Sequence, residues 1–531
     1  MALSRRDAVK LGVLGTAGVV LPIEQVAHTK LAFRRRLRAD DLPRPFTAGF
    51  VVPPVLSPGA SKEVDGQMTD FYQVTMRAAK VEIVPGLKTE IWGYNGILPG
   101  PTISSRRKRP TVIRQINSLP ARHPRLRYQP TTSLHLHGSA SLPQYDGYAS
   151  DVSEPGQYKD YKFPQIQEAR TDWYHDHGVH HTAPNVAMGL AGQYHMHDEH
   201  EESLPLPKGR YDVPITLFDA SFAADGSLLY DDHSESGNYG NVITANGKAW
   251  PVMRVEPRKY RFRILNACVS RSYRLSLSTG EPLTVIGTDA GLMPKPQQVK
   301  SLRQGMAERY EVVIDFSGYK AGQRVVLRNS SPDNNIDYEH TNKVMAFDVV
   351  LPLDTSKPDP DLPDELNPDC EVMKLTEKDA KRTRRFDFER KNGLWTINGK
   401  TWADVVNSDY EFVSANPGLG DTEIWELRNT HGGWFHPVHI HLVDSRILSR
   451  NGRPPFAYEQ GPKDVFYVGE NETVRVIATF GPHAGKYMMH CHNLVHEDHD
   501  MMVQFQVGSG GPDPIKSDPA RAVSAMPRLG S

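Results

Sequence analysis

The stretch Tyr487-Met-Met-His-Cys-His-Asn-Leu-Val-His-Glu-Asp-His-Asp-Met501 places one cysteine between two histidines near the C-terminus. Successive side chains of an extended strand point to opposite faces, so Cys491 faces one way and His490 and His492 face the other. If all three residues bind metal, one strand carries two metal sites back to back, joined by a few covalent bonds. This arrangement favours electron transfer between the two sites.

Further candidate ligands for the site of Cys491 follow it in the chain. His496 and Met501, together with one more histidine, complete the ligand set of a blue-copper site, which is two imidazoles, a thiolate and a weak axial thioether. His436 is the expected fourth ligand. It lies an odd number of residues from His439, so on a strand it faces the side that Cys491 also faces.

Histidines at positions i and i+2 occur as four pairs. Both members of such a pair face the same side of a strand, so eight imidazoles can converge where the first and last thirds of the chain meet. Eight ligands are too many for one mononuclear site and suit a cluster of three coppers, whereas zinc sites are normally closed and tetrahedral. The pairs are His135/His137, His175/His177, His439/His441 and His490/His492.

The remaining sequence predicts an all-β fold. Short alternating runs such as Lys259-Tyr-Arg-Phe-Arg-Ile264 recur between Gly, Pro, Asn and Asp residues. Asn-Gly pairs at Asn95, Asn246 and Asn398 are 151 and 152 residues apart, and each is followed by an alternating strand that ends in Asn. The repeat predicts three copies of one β-sandwich, and the middle copy has no expected copper ligand.

The expected domain boundaries follow this repeat and the local composition, and a chain of 531 residues is expected to hold more than one domain. The segment from 351 is rich in Pro and Asp, and the last residues are rich in Gly, Pro and Ser. The expected segments are a signal and N-terminal extension (1–44), a first sandwich (45–205), a second sandwich (206–350), a linker (351–375), a third sandwich with the type 1 copper (376–508) and a flexible tail (509–531).

Charge and cysteine content narrow the classes of partner and compartment. Lys and Arg number 62 against 63 Asp and Glu, and this near-zero balance argues against nucleic acid as the main partner. Three cysteines are too few for a disulfide framework. If Cys491 is a ligand, Cys268 and Cys370 either form a disulfide or stay free. Their separation in space decides between the two, and the sequence does not give it.

The N-terminus has the layout of an export signal. Ser4-Arg5-Arg6 precedes an apolar stretch from Leu11 to Leu21, which is shorter than the roughly 20 residues that span a bilayer. Its paired arginines are of the twin-arginine type, so we expect export of the folded protein to the periplasm, the cell surface or the medium. No other stretch of the sequence is expected to span a membrane.

Taken together, these motifs resemble the four copper signatures of the multicopper oxidases, and most of all those of the bilirubin oxidases and the bacterial spore-coat-type laccases. The matching stretches are His135-Leu-His-Gly138, Trp173-Tyr-His-Asp-His177, His436-Pro-Val-His-Ile-His441 and His490 to Met501. The resemblance runs over about residues 45–508 and implies three cupredoxin-like Greek-key sandwiches that bind four copper ions. The implied ligands are His436, Cys491, His496 and Met501 for type 1 copper, His135 and His439 for type 2, and His137, His175, His177, His441, His490 and His492 for the type 3 pair.

The same resemblance implies an oxidase that takes electrons singly from a small aromatic substrate and reduces dioxygen to water with four of them. Phenols, aromatic amines and tetrapyrroles such as bilirubin are the expected donors. Asp146 and Glu497 are the candidates for the proton path, since bilirubin oxidases have an acidic residue in an Asp-Gly context similar to Tyr145-Asp-Gly-Tyr148. The alternative interpretations are a turn residue for Asp146 and a solvated carboxylate for Glu497.

Other functions remain open at the level of sequence. A biosynthetic coupling oxidase of the phenoxazinone-synthase type, or an oxidase of cuprous or other metal ions, would use the same copper sites, although no Met-rich insertion favours the metal oxidase. A copper electron carrier without turnover belongs to a different class. It needs a single copper site, so the eight paired histidines argue against it. The natural substrate and the oligomeric state also remain open.

Overall fold

The computed structural model describes residues 35–232 and 235–530. These residues form six sheets, two in each third of the chain, which confirms the predicted all-β class with three sandwiches. The expected twin-arginine-type signal lies outside the described residues. Within the described part of the chain, no helix is both long enough and apolar enough to cross a membrane.

Ten strands lie in the described part of the first third. They are β1 (Val55–Leu56), β2 (Ala60–Val64), β3 (Gln67–Val81), β4 (Thr89–Tyr94), β5 (Thr102–Arg106), β6 (Thr111–Asn117), β7 (Leu134–His137), β8 (Gln157–Phe163), β9 (Arg170–Asp176) and β10 (Ala191–His197). One sheet has the order β1-β5-β10-β9-β7, and the other has the order β2-β3-β6-β8 with β4 beside β3. Tyr72 of one sheet and Ile103 of the other belong to one buried core.

The described residues of the middle third form thirteen strands. They are β11 (Asp212–Phe222), β12 (Leu228–Leu229), β13 (Val242–Ala245), β14 (Lys248–Ala249), β15 (Val252–Val255), β16 (Lys259–Asn266), β17 (Tyr273–Leu277), β18 (Leu283–Thr288), β19 (Gly291–Val299), β20 (Leu302–Gln304), β21 (Arg309–Asp315), β22 (Arg324–Asn329) and β23 (Lys343–Val349). The sheet orders are β14-β13-β11-β16-β21-β18-β19, with β12 beside β11, and β15-β23-β22-β17-β20. Phe262 and Phe347 join the two sheets with ring centroids 5.1 Å apart.

The last third carries the cysteine and its flanking histidines. Its strands are β24 (Arg382–Lys391), β25 (Leu394–Ile397), β26 (Asp421–Asn429), β27 (His436–Ile440), β28 (Ser445–Arg450), β29 (Val465–Val468), β30 (Glu472–Phe480), β31 (Gly485–Cys491), β32 (Met502–Val507) and β33 (Arg521–Ala522). β25-β24-β26-β30-β28 and β29-β27-β31-β32 are the two sheets of this sandwich. Strands β27 and β31, which hold most of the candidate ligands here, are direct neighbours.

The described helices are short and lie in the connections between strands. They are α1 (Thr182–Met188), α2 (Glu199–Ser203), α3 (Glu371–Lys374), α4 (Trp402–Asn407) and α5 (Leu494–Asp498). Helix α5 connects β31 to β32 and carries His496 and Glu497. The side chain of Asn493 caps its start by accepting the N–H of Val495.

The three Asn-Gly turns occupy equivalent places in the three sandwiches. Asn95, Asn246 and Asn398 have φ angles of 56°, 49° and 53°, and the glycine after each has a φ of 72°. The side-chain oxygen of each asparagine accepts a backbone N–H of the neighbouring strand, at 2.9, 2.7 and 2.7 Å. The sequence repeat therefore reflects a repeated backbone geometry, because only residues that tolerate positive φ form such a turn.

The C-terminal tail corrects one expectation, since residues 509–531 were expected to be flexible. β33 pairs with β8 of the first sandwich. The hydroxyl of Tyr145 donates to Asp518 at 3.0 Å, and Arg114 donates to the carbonyl of Pro527 at 2.7 Å. Composition indicates only that a segment lacks regular structure. Contacts with residues that are distant in the sequence hold the C-terminal tail in place.

Candidate metal centre

The thiol of Cys491 lies at the end of β31, with two imidazoles beside it. Its Sγ is 3.3 Å from Nδ1 of His436 and 3.7 Å from Nδ1 of His496. The three side chains are buried and close enough to hold one metal ion. Met501 is buried in the same core cluster as Cys491, and its carbonyl accepts the N–H of Cys491 at 3.1 Å. The structure thus brings three side chains of the predicted blue-copper set together and places Met501 in the same core.

The chemistry of this group suits a thiophilic metal ion. Burial raises the pKa of the Cys491 thiol, whereas the N–H of Asn493 donates to its Sγ at 3.4 Å and favours the thiolate. Burial also lowers the pKa of His436 to about 3, which keeps this ring neutral and able to act as a ligand. A bound cation would supply the charge that a buried thiolate needs. The donor set of two imidazoles, thiolate and thioether is the one expected for type 1 copper.

The ring of His496 is fixed from outside by the middle sandwich. Its Nε2 lies 3.1 Å from the carbonyl oxygen of Ser236. A carbonyl only accepts hydrogen bonds, so this contact favours the tautomer with the proton on Nε2, which leaves Nδ1 free to face Cys491. Trp395 stacks on the same ring with centroids 3.8 Å apart and an interplanar angle of 26°. Sequence reasoning did not find either contact.

The eight paired histidines form one buried cluster between the first and third sandwiches. Strand pairing sets His135 opposite His175 on β7 and β9, and His439 opposite His490 on β27 and β31. The second member of three of the pairs lies just beyond the end of its strand and still joins the cluster. Neighbouring rings have centroids between 3.6 and 6.2 Å apart. All eight side chains are buried.

Facing nitrogens mark where metal ions fit in this cluster. Nε2 of His135 and Nε2 of His439 are 3.3 Å apart. Nε2 of His490 lies 3.1 Å from Nε2 of His441 and 3.1 Å from Nε2 of His177. A metal ion between these rings can bind the lone pair of every nitrogen that faces it. A hydrogen bond between two rings uses the lone pair of only one of the two nitrogens. Imidazole is a common ligand of copper.

A third group of nitrogens has no hydrogen-bond partner among the described residues. It comprises Nδ1 of His137, Nε2 of His175 and both ring nitrogens of His492. Buried polar atoms without a partner are costly, and native structures rarely leave them so. A metal ion would satisfy these lone pairs. The unpaired nitrogens therefore show that the residues present fit bound copper.

Asp146 and Glu497 lie behind the ligand rings. A side-chain oxygen of Asp146 is 2.8 Å from Nδ1 of His441, and its carbonyl is 2.5 Å from Nδ1 of His135. Glu497 lies 3.0 Å from Nδ1 of His490. Each acid can thus hold a ring nitrogen that faces away from the cluster, which fixes the orientation of the other nitrogen. Burial raises the pKa of Asp146 well above its usual range, which favours the protonated form of its carboxyl group.

The turn at Asp146 approaches the cluster closely because a glycine follows. Gly147 has a φ of +75°, and a Cβ at this position would lie 2.6 Å from the Cα of His135. Both the left-handed backbone and the close approach require glycine here. The Asp-Gly turn therefore does more than reverse the chain, since it brings the carboxylate up to β7.

Asp464 is a site residue that sequence reasoning missed. A carboxylate oxygen is 3.1 Å from Nε2 of His137, and the backbone carbonyl of Asp464 is 2.9 Å from Nδ1 of His439. It lies just before β29, outside every histidine pair. No spacing in the sequence connects Asp464 to the histidines that it contacts.

The histidines left open by the sequence contact other protein groups, and the two cysteines left open do not form a disulfide. His195 is buried with Nε2 2.8 Å from Gln193, His197 lies 3.1 Å from Glu201, and Nε2 of His200 is 2.6 Å from the carbonyl of Leu366. Among the described residues, none of the three belongs to a group that could hold a metal ion. Two cysteines are buried free thiols, namely Cys268 and Cys370.

Comparison with known proteins follows the same divisions of the chain. Three models of the multicopper oxidase family match residues 75–201, 170–346 and 374–511. Over 480 residues the chain is 42% identical to the bilirubin oxidase of Albifimbria verrucaria, which covers 87% of this chain and 81% of that protein. The chain belongs to the multicopper oxidase family.

Other multicopper oxidases are similar along most of their length. The laccase of Bacillus subtilis (strain 168) is 34% identical over 517 residues, with 86% of this chain and 97% of that protein covered. The crystal structure of the McoA multicopper oxidase from Aquifex aeolicus has a TM-score of 0.76 at 28% identity, covering 87% of this chain and 99% of that chain. These findings confirm the predicted family and imply a copper oxidoreductase that uses dioxygen.

Proposed function

We propose that this multicopper oxidase couples the one-electron oxidation of phenols, aromatic amines or tetrapyrroles such as bilirubin to the four-electron reduction of dioxygen to water. The geometry at residues 490–492 carries the proposal. Cys491 lies with His436 and His496 on one side of β31, while His490 and His492 lie in the eight-histidine cluster on the other. A covalent path of a few bonds joins the two groups. Such a path is what electron transfer from the Cys491 site to the histidine cluster requires.

The proposed ligand assignment follows the two groups of side chains. Bound copper would supply one-electron redox chemistry at four positions, enough to match single-electron donors to dioxygen. The facing Nε2 atoms of two histidines support the type 2 assignment, and the unpaired nitrogens support the type 3 pair. The proposed ligands are His436, Cys491, His496 and Met501 for type 1, His135 and His439 for type 2, and His137, His175, His177, His441, His490 and His492 for type 3.

Asp146 and Glu497 are proposed to deliver the protons that water formation consumes. Each is buried and lies within hydrogen-bond distance of a proposed ligand ring, at His441 and at His490. The same contacts hold those rings in one orientation. Both carboxylates therefore act at the edge of the site where dioxygen would be reduced.

Dioxygen uptake by the copper-loaded protein tests this function. We expect uptake with a phenol, an aromatic diamine and bilirubin, without accumulation of hydrogen peroxide. Removal of copper with a chelator should abolish the uptake, and added copper should restore it, because every proposed step needs the metal. An oxygen electrode with a peroxide assay measures both.

The outcome also separates the alternatives. A fully loaded blue protein without uptake on any donor would contradict the oxidase and indicate an electron carrier. Uptake restricted to o-aminophenols would indicate a coupling oxidase, and uptake restricted to cuprous ion would indicate a metal oxidase.

We also propose export by the twin-arginine-type signal, on the strength of Arg5, Arg6 and the apolar stretch that follows. Cell fractionation tests this, and the mature protein is expected outside the cytoplasm. Recovery of the copper-loaded protein only from the cytoplasm would contradict it.

A further inference from the structure

Arg309 of the middle sandwich is buried where the three sandwiches meet, and every one of its side-chain N–H groups has an acceptor. Two N–H groups donate to the carboxylate oxygens of Asp464, at 2.7 and 2.6 Å. The other three donate to the carbonyl oxygens of Thr171, Ala307 and Asp289, at 2.9, 3.1 and 2.9 Å. Five donors with five acceptors leave the guanidinium a single orientation, so the position of Asp464 is fixed as well.

The residues on either side of Asp464 are also bound to the middle sandwich. Lys463 is fully buried and lies 2.8 Å from Asp289 and 3.0 Å from Glu308. The N–H of Val465 donates to Asp289 at 3.2 Å. Three consecutive residues of the third sandwich are therefore held by the middle one, and the central residue is the one that points at the cluster.

Asp464 in turn contacts two histidines that come from different sandwiches. Besides the two bonds from Arg309, its carboxylate accepts a hydrogen bond from Nε2 of His137 at 3.1 Å, which leaves Nδ1 of that ring free to bind a metal ion. Its carbonyl oxygen accepts the N–H of Ile440 at 3.3 Å and Nδ1–H of His439 at 2.9 Å, and the second bond leaves Nε2 of His439 free to face His135. Asp464 thereby determines which ring nitrogen can bind metal on His137 of the first sandwich and on His439 of the third.

We propose that Arg309 is a positioning residue that acts through Asp464 to set the ring nitrogens which His137 and His439 offer to copper. The middle sandwich, which has no proposed ligand, then controls copper binding at the junction of the other two. This inference rests on the proposed ligand assignment. Partners behind metal-binding histidines fix the tautomer and orientation of the ring, and their loss typically weakens metal affinity about 10- to 100-fold.

The test is Arg309→Lys in the full-length protein, because lysine keeps the charge but cannot make the two parallel bonds to Asp464. We expect copper affinity at the histidine cluster to fall about 10- to 100-fold, measured by competition with a chelator. The type 2 electron paramagnetic resonance signal should change or be lost, while the blue band of the Cys491 site stays at full intensity. Asp464→Ala, which removes the oxygens that accept from both Arg309 and His137, should have the same effects without altering any residue of the middle sandwich.

Arg170→Lys is the matched control. Arg170 is equally buried and makes the same two parallel bonds, to Asp444 at 2.6 and 2.8 Å, across the interface of the first and third sandwiches. In the described part of the chain, neither partner bonds to a cluster histidine. The control should keep wild-type copper affinity and an unchanged type 2 signal.

Several results would overturn the inference. Unchanged affinity and an unchanged type 2 signal in Arg309→Lys, or in Asp464→Ala should Arg309→Lys fail to fold, would show that the contact does not position the rings. Equal losses in Arg170→Lys would show a general effect of breaking a buried ion pair. A wild-type protein that binds no copper at the cluster would overturn the proposed function together with this inference.

Discussion

Replacement of Cys491 by serine is expected to abolish the blue band and reduce turnover to background, while the eight-histidine cluster still binds copper. Serine offers a hard, protonated oxygen in place of the soft thiolate that gives a blue-copper site its affinity and colour. The cluster histidines do not depend on that sulfur, so the protein should lose about one copper ion per chain. Absorption near the blue band, metal analysis and electron paramagnetic resonance measure these effects.

Cys268→Ser is the matched control for that change. Cys268 is also a buried free thiol, but its Sγ lies 3.1 Å from the hydroxyl of Tyr273 in the middle sandwich. We expect this variant to keep its colour, copper content and turnover. A blue band that survives in Cys491→Ser would contradict the assignment of both metal groups, since Cys491 is the residue that joins them.

Substitution of Asp146 by asparagine is expected to slow dioxygen reduction about 100-fold and leave the blue band intact. The amide oxygen can still accept the hydrogen bond from His441, which Asp146 makes at 2.8 Å, so the ring should keep its place. An amide, however, does not take up and release a proton near neutral pH as a carboxylate can. Turnover at saturating dioxygen should therefore fall, whereas anaerobic bleaching of the blue band by the donor should keep its rate.

The control for this carboxylate is Asp151→Asn. Asp151 is buried five residues further along the chain and pairs with Lys159, and no described contact joins it to a cluster histidine. It should leave dioxygen reduction unchanged. Loss of colour or of copper in Asp146→Asn would indicate a purely structural role and would contradict the proton path.

Strand alternation explains why so much of the site could be predicted. The backbone of a strand fixes the side to which each residue points, so parity alone separated Cys491 from His490 and His492. His177, His441 and His492 lie just past the last residues of β9, β27 and β31, yet they still join the cluster. The local sequence is therefore enough to predict short-range geometry of this kind.

The missed residues act over long distances in the chain. Arg309 and Asp464 are 155 residues apart, and Ser236 and His496 are 260 apart. Arg309 begins a strand with no metal-binding motif, and Ser236 acts through its carbonyl, which every residue has. Only the packing of one sandwich against another creates these contacts, so no pattern within either segment indicates them.

The placement of the C-terminal segment has a consequence for how the oxidase holds its metal. The chain leaves the third sandwich after β32 and returns to the first through β33, which is bound to β8. The two sandwiches that share the histidine cluster are thus tethered at a second point besides the middle sandwich. A tether keeps separated parts at a high effective concentration, so a transient opening is followed by rapid rejoining. We therefore expect the tail to hold the two sandwiches together after a transient opening of their interface, so that a copper ion is more often bound again than lost.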